Sequence, residues 1–200
     1  MRAIRILLVI FLVLLAGQAL AYKARRTASP LQWRTGLGVA TAPSTLDETV
    51  DVGGGVELGF QYRLSSRINV GLRGNVASHD YDELDGVPLG PGYYDPDWYR
   101  FGVAAFGEYM LLTSPLRPYL AVHGGFQSRQ LAYSIDRPGR DKVETETGPA
   151  LGLLGLGGGL HYEIGDGLGV RLEALNESRP GHWDDAAWTF MATVVFSVSR

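Results

Sequence analysis

Two stretches of this 200-residue chain set an imidazole beside carboxylates: His79-Asp80-Tyr81-Asp82 and His182-Trp183-Asp184-Asp185. A carboxylate that orients a histidine makes a general base able to activate water. The first stretch continues as Asp80-x-Asp82-x-x-Asp85-Gly86, with Asp95 and Asp97 beyond it. Calcium takes several oxygen ligands, and this run lacks the closing bidentate glutamate, so it offers an incomplete set. Gly155, Gly157, Gly158 and Gly159 invite a phosphate-loop reading. That reading fails because Leu160 stands where the last glycine of Gly-x-Gly-x-x-Gly would fall, and no helical pattern follows. No catalytic residue, metal ligand or cofactor site is expected. What the acidic segment does hold is a group of aromatics, Tyr81, Tyr93, Tyr94 and Trp98, which together could form a contact surface on a loop.

The elements carrying these residues follow from a period of two. From about residue 31 the chain alternates apolar with polar or small residues in eight stretches: 32–41, 52–64, 67–78, 98–112, 118–131, 149–163, 168–177 and 187–199. Period two is the mark of strands with one apolar face. In 67–78, for example, Ile68, Val70, Leu72 and Val76 alternate with Asn69, Gly71, Arg73 and Asn75. The connectors are short at Ser65-Ser66, Thr113 to Leu116 and Gly165-Asp166-Gly167. They are long and polar at 42–51, 79–97, 132–148 and 178–186. Short turns on one side and long loops on the other are the habit of barrels that span an outer membrane. The expected fold is therefore all-β: an eight-stranded antiparallel up-and-down transmembrane β-barrel.

Sorting residues by parity assigns each face a character. One face carries Trp33, Tyr62, Tyr109, Tyr162 and Phe196 towards one end, and Tyr99, Phe101, Phe126, Trp188 and Phe190 towards the other. Two aromatic belts suit the two headgroup regions of a bilayer. The opposite face collects Arg34, Arg63, Arg73, Arg100, Arg129 and Arg171 with Glu57, Glu108, Glu163 and Glu173, joined by His123 and His161. Eight strands leave a lumen that side chains fill, so these residues are expected to form an interior polar network. Six arginines against four glutamates leave an excess of two positive charges, which waters near the ends, loop carboxylates or an inaccurate parity assignment must absorb.

The first residues have the anatomy of an export signal. Arg2 and Arg5 precede an apolar run from Ile6 to Ala16, which is shorter than the ~20 residues a membrane helix needs. Ala19-Leu20-Ala21 supplies small residues for cleavage before Tyr22. The alternative is an uncleaved anchor helix. Residues 1–21 are read as a cleavable signal peptide, 22–30 as a short periplasmic segment and 31–200 as the barrel. The whole chain carries a net charge of −3, and removing 1–21 leaves 16 basic against 21 acidic residues, an unsuitable balance for a nucleic-acid partner. There are no cysteines, which excludes a lipid anchor on Cys and suits an exported protein without disulfides.

The chain resembles the small outer-membrane β-barrels of the OmpA transmembrane-domain and OmpX type. The resemblance covers nearly all of 31–199. It is carried most clearly by Arg117-Pro118-Tyr119-Leu120-Ala121-Val122-His123-Gly124-Gly125, by the glycine-rich run Gly155 to Tyr162, and by Leu168 to Ala174. It implies a structural barrel, an adhesin or a binder of surface ligands, set in outer-membrane lipid and lipopolysaccharide and inserted by the barrel assembly machinery. Such barrels usually end in an aromatic residue, whereas here Phe196 is followed by Ser197-Val198-Ser199-Arg200. No peptidoglycan-binding domain is expected after the barrel. Two barrel enzyme families fail a residue test. Lipid A deacylases carry a His-x-Ser-Asn run, and the comparable stretch Leu172 to Ser178 has no His. Omptin-type proteases have ten strands and a different order of Asp and His pairs. Asn176-Glu177-Ser178 has the form of a glycosylation acceptor, for which a bacterial outer-membrane protein has no ordinary use.

The expected function is accordingly non-enzymatic: a structural or surface-recognition role through the loops at 79–97 and 132–148, with an unidentified surface ligand. One alternative is a narrow pore for small solutes. The other is a soluble periplasmic lipocalin-like barrel, which requires the reverse parity, with its apolar face inside.

Overall fold

The computed structural model describes residues 29–41, 52–80, 93–137, 140–165 and 167–197. Its elements are all strands: β1 (Leu31–Ala40), β2 (Gly53–Arg63), β3 (Ile68–Asp80), β4 (Tyr93–Met110), β5 (Leu116–Arg137), β6 (Arg140–Thr147), β7 (Leu151–Gly165), β8 (Leu168–Arg179) and β9 (His182–Ser197). Every pairing is antiparallel. Neighbours in sequence pair in turn, and β1 pairs with β9 to close the ring. Eight strands make the barrel. The ninth, β6, adds to the upper half of β5, whose lower half pairs with β7.

Alternation is enforced by the two media. On β2, Leu58, Phe60 and Tyr62 are exposed while Glu57 and Gln61 are buried. The same rule puts Leu72 and Val70 of β3 outside and Asn69 and Arg73 inside. A closed sheet satisfies every backbone group within lipid, which an open edge cannot do. The parity is the reverse of a lipocalin, and that alternative is excluded by it: apolar side chains face out and charges face in.

The belts occupy the outer surface. Trp33 and Phe60 meet edge to face, with ring centres 6.2 Å apart, and Trp188 and Phe190 stack at 6.1 Å. The inter-strand turns at the periplasmic end are short. After β2, Ser65 Oγ accepts from the amides of Arg67 and Ile68 at 3.2 and 3.1 Å, capping a turn that needs no glycine. The β7–β8 turn does need one, since Gly167 sits at φ 85°.

The other end departs from expectation. The segments 79–97, 132–148 and 178–186 are expected from sequence as long loops, yet strand enters each of them at its described residues. β4 begins at Tyr93, β5 continues to Arg137, and β6 fills 140–147. β8 and β9 meet at Pro180-Gly181, with Arg179 opposite His182 and Gly181 at φ 84°. At ~3.3 Å per residue, the 22 residues of β5 reach about 70 Å along the strand, far more than the ~10 residues a membrane crossing uses. The barrel wall is thus much taller on the β4–β5–β6 side. Gly148-Pro149-Ala150 separates β6 from β7, and Pro149 has no N–H to continue the ladder. The expected signal peptide 1–21, nearly all of the segment 22–30, Tyr81, Asp82, Asp85, Gly86 and residues 198–200 lie outside the described residues.

Candidate functional site

The lumen is built from inward positions of eight strands. Arg34 on β1 sits nearest the centre, fully buried. Its Nε lies 2.6 Å from Glu57 Oε1, its Nη1 3.0 Å from Glu108 Oε1, and its Nη2 3.4 Å from Glu173 Oε1. One guanidinium therefore ties β2, β4 and β8 together across the barrel. Arg171 donates to both oxygens of Glu108, at 2.5 and 2.8 Å, and its Nε donates to His161 Nδ1 at 3.1 Å. This fork-to-fork geometry is the strongest form of the arginine–carboxylate pair. Asn69 Nδ2 adds a donor to Glu108 at 3.2 Å, and Tyr119 OH donates to Glu173 at 2.8 Å. Arg34 lies over the ring of Phe106 at 4.7 Å and Arg171 over that of Tyr119 at 4.9 Å, so the flat faces of both cations are covered as well as their edges.

Arg73 links this lower group to an upper one. Its Nη1 is 2.8 Å from Glu173 and 3.4 Å from Glu57, and its Nη2 is 3.6 Å from Glu177. Glu177 also receives His123 Nε2 at 3.1 Å, Arg100 at 3.6 Å and the Thr189 hydroxyl at 3.2 Å. Arg100 in turn donates to Thr189 Oγ1 at 2.9 Å. The result is one continuous ladder of ion pairs along the barrel axis. Glycines on facing strands make room for it: a Cβ on Gly155 would stand 2.1 Å from His123 Nε2.

Of the expected network, Arg34, Glu57, Arg73, Arg100, Glu108, His123, His161, Arg171 and Glu173 are brought into this ladder. Arg63, Arg129 and Glu163 are half-buried instead. Glu163 pairs with Arg117 at the periplasmic end, and Arg129 lies over the ring of Trp98 at 5.5 Å at the outer end. Glu177 and Tyr119 were not anticipated. With Glu177 counted, the fully buried charges among the described residues are four arginines (34, 73, 100, 171) and four glutamates (57, 108, 173, 177), so the predicted positive excess vanishes.

Trp98 corrects the expected contact surface. It has the parity of Arg100 and is buried, with His79 edge-on to its ring at 4.8 Å. It lies on the lumen side of the wall and not on an exposed loop surface. His79, the imidazole of the first imidazole–carboxylate stretch, is buried against that ring. Tyr93 and Tyr94 lie on β4 opposite Ile135 and Ser134 of β5, in strand and not in loop. Above the rim, β4, β5 and β6 form a three-stranded arm. Its tip pairs Arg137 with Arg140 and, two positions below, Ile135 with Lys142.

The fold is similar to several solved outer-membrane proteins. Neisserial surface protein A shares 14% identity, with 86% of this chain and 99% of that chain covered and a TM-score of 0.52. OprG of Pseudomonas aeruginosa shares 13%, covering 85% and 96%, at 0.54. Ail, the attachment invasion locus protein of Yersinia pestis, in complex with the heparin analogue sucrose octasulfate, shares 14%, covering 83% and 97%, at 0.50. No curated protein sequence matches the chain. The family model for the outer membrane protein beta-barrel domain matches residues 7–196. With its lumen filled by paired charges and its apolar face turned to lipid, the chain belongs to that family and resides in the bacterial outer membrane.

Proposed function

We propose that this protein is a closed, non-enzymatic anchor whose task is to hold the β4–β5–β6 arm above the membrane for recognition of a surface ligand. The observation that carries this reading is the contrast between the two ends of one wall. Inside the membrane the lumen is spent on a charge-neutral plug, while β5 runs on beyond it with β6 at its side. A structural role alone gives no reason to carry β5 and β6 so far beyond the membrane. Residues 1–21 direct export, 22–30 lead into the barrel, and the barrel assembly machinery inserts it among lipid and lipopolysaccharide.

The arm's tip pairs Arg137 with Arg140 and carries Lys142 two positions below on the same face, with Asp136 opposite Asp141 at the position between, on the other face. The face that carries Arg137, Arg140 and Lys142 is the one that suits a polyanion. Ail was solved with a heparin analogue, and heparin is the first probe to apply here. The test replaces 133–144 by Asn-Gly, a two-residue turn suited to joining Ala132 and Thr145, which face each other in register. The trimmed protein should keep its heat-modifiable gel mobility and lose retention on immobilised heparin at ~0.15 M salt, where surface charges are screened beyond about 8 Å. Equal retention of both forms, or none by the intact protein, would refute a polyanion-binding arm.

A further inference from the structure

β6 ends the sheet: among the described residues it pairs with β5 and with no other strand. The Gly148 amide donates to the Arg129 carbonyl at 2.8 Å, so 129 and 148 form a hydrogen-bonded pair of this ladder. In an antiparallel ladder such pairs recur at every second residue. Positions 140, 142, 144 and 146 therefore turn their backbone groups to β5, and Asp141, Val143, Thr145 and Thr147 turn theirs to the open edge. An open edge is a template for another strand.

The order of charge along β6 selects that strand. One face carries Arg140, Lys142, Glu144 and Glu146 in succession, two cations and then two anions. A second β6 laid antiparallel and centred on Val143 puts Arg140 opposite Glu146 and Lys142 opposite Glu144, each pair twice. The same register sets Val143 opposite Val143 and Asp141 opposite Thr145, so outward backbone groups meet outward ones. The charged pairs then fall at the non-hydrogen-bonded sites, where facing residues stand closest. A slip of one strand by two residues brings Lys142 opposite Lys142 or Glu144 opposite Glu144. Parallel copies in register oppose like charges throughout, which is destabilising.

Strand direction decides where the second copy sits. β6 descends from the arm's tip to Gly148-Pro149-Ala150 and the membrane-spanning β7. Two copies in one membrane are related by rotation about its normal, which leaves both β6 strands descending and therefore parallel. Antiparallel strands require an inverted copy, in a membrane that faces the first. We propose that the open edge of β6 pairs with β6 of a second copy in an apposed outer membrane, so that the arm is a self-recognising contact between cells. The interface is two-fold symmetric, with each pair of residues made in both directions. It rests on the reading of the arm as a display element, and not on the arm's affinity for polyanions.

Vesicles shed from the outer membrane of cells with truncated lipopolysaccharide present the arm outwards. Those bearing wild type should cluster at ~0.15 M salt, read by light scattering. Arg140→Glu with Lys142→Glu makes the face wholly acidic, and Glu144→Lys with Glu146→Lys makes it wholly basic. Each variant alone should cluster at least tenfold less, and a mixture of the two should regain the wild-type level, because the two faces complement each other. Heat-modifiable mobility should be unchanged, since both variants alter the arm and not the barrel. The chain has no cysteine, so the register can be read in micelles, where copies are free to invert. Asp141→Cys protein mixed with Thr145→Cys protein should cross-link to it, and neither should cross-link to itself. Wild-type vesicles that stay dispersed, variants that cluster alone, a mixture that stays dispersed, or self-cross-linking of either cysteine variant would overturn the proposal. The wholly basic variant separates this from polyanion binding: it should lose clustering and keep its retention on heparin, and loss of heparin retention alone counts only against the polyanion reading.

Discussion

Glu108→Ala is expected to destabilise the folded barrel by about 3–5 kcal/mol, the usual cost of leaving buried charge unpaired. Glu108 accepts from both nitrogens of Arg171, from Arg34 and from Asn69, and none of these groups reaches solvent. Its loss leaves Arg171 with no carboxylate among the described contacts and takes one of three from Arg34. Water cannot readily replace it, because Phe106 and Tyr119 cover the guanidinium faces. Urea unfolding in detergent micelles, followed by the change in gel mobility between folded and unfolded forms, reads the effect directly. Glu163→Ala provides the contrast. Its pair with Arg117 is partly exposed at the periplasmic rim, where such pairs are worth about 1 kcal/mol or less. Equal destabilisation by the two variants would mean that the interior is wet and its charges are screened.

Leu72→Arg should impair membrane assembly by about 2–4 kcal/mol, the cost of an arginine at the midplane on a barrel's lipid face. Leu72 is exposed, pairs with Phe60 on one side and Ala105 on the other, and lies midway between Ile68 at one belt and Val76 at the other. Depth makes the prediction specific. Leu111 is equally exposed but lies past the end of β4 at the periplasmic interface, where the same change should cost about 0–1 kcal/mol because the side chain reaches water. Refolding into lipid vesicles under a urea gradient measures both. Normal assembly of Leu72→Arg would mean that the face assigned to lipid does not meet it.

The strands within the membrane were readable because two media police them. Lipid outside and charge inside repeat at every second residue, so Leu58, Phe60 and Tyr62 announce β2 without any partner strand. Above the membrane that constraint ends. β6 reads Arg-Asp-Lys-Val-Glu-Thr-Glu-Thr, with no apolar face to alternate, and the start of β4 holds Asp95-Pro96-Asp97. Both carry the composition of loops, and only pairing with β5 makes them strand. Trp98 reads as a loop aromatic for the same reason, although it shares the parity of Arg100. Glu177 could have been found: it continues the series Arg171, Glu173 beyond Leu175, and it supplies one carboxylate of the balance, the rest coming from Arg63 and Arg129 being only half-buried. The partner choices within the network were not legible. Arg34 reaches Glu108 across the lumen from β1 to β4, and that depends on the stagger of strands around the ring, which no single strand encodes.

The central claim is that paired charges close the lumen, so that the function lies in what the barrel displays and not in what it conducts. Planar-bilayer recording of the purified protein tests it most directly. The claim predicts a silent bilayer, without discrete current steps over ±100 mV in ~1 M salt, a concentration that screens charge over about 3 Å and so favours any open path. Reproducible single-channel steps from the folded wild-type protein would contradict it.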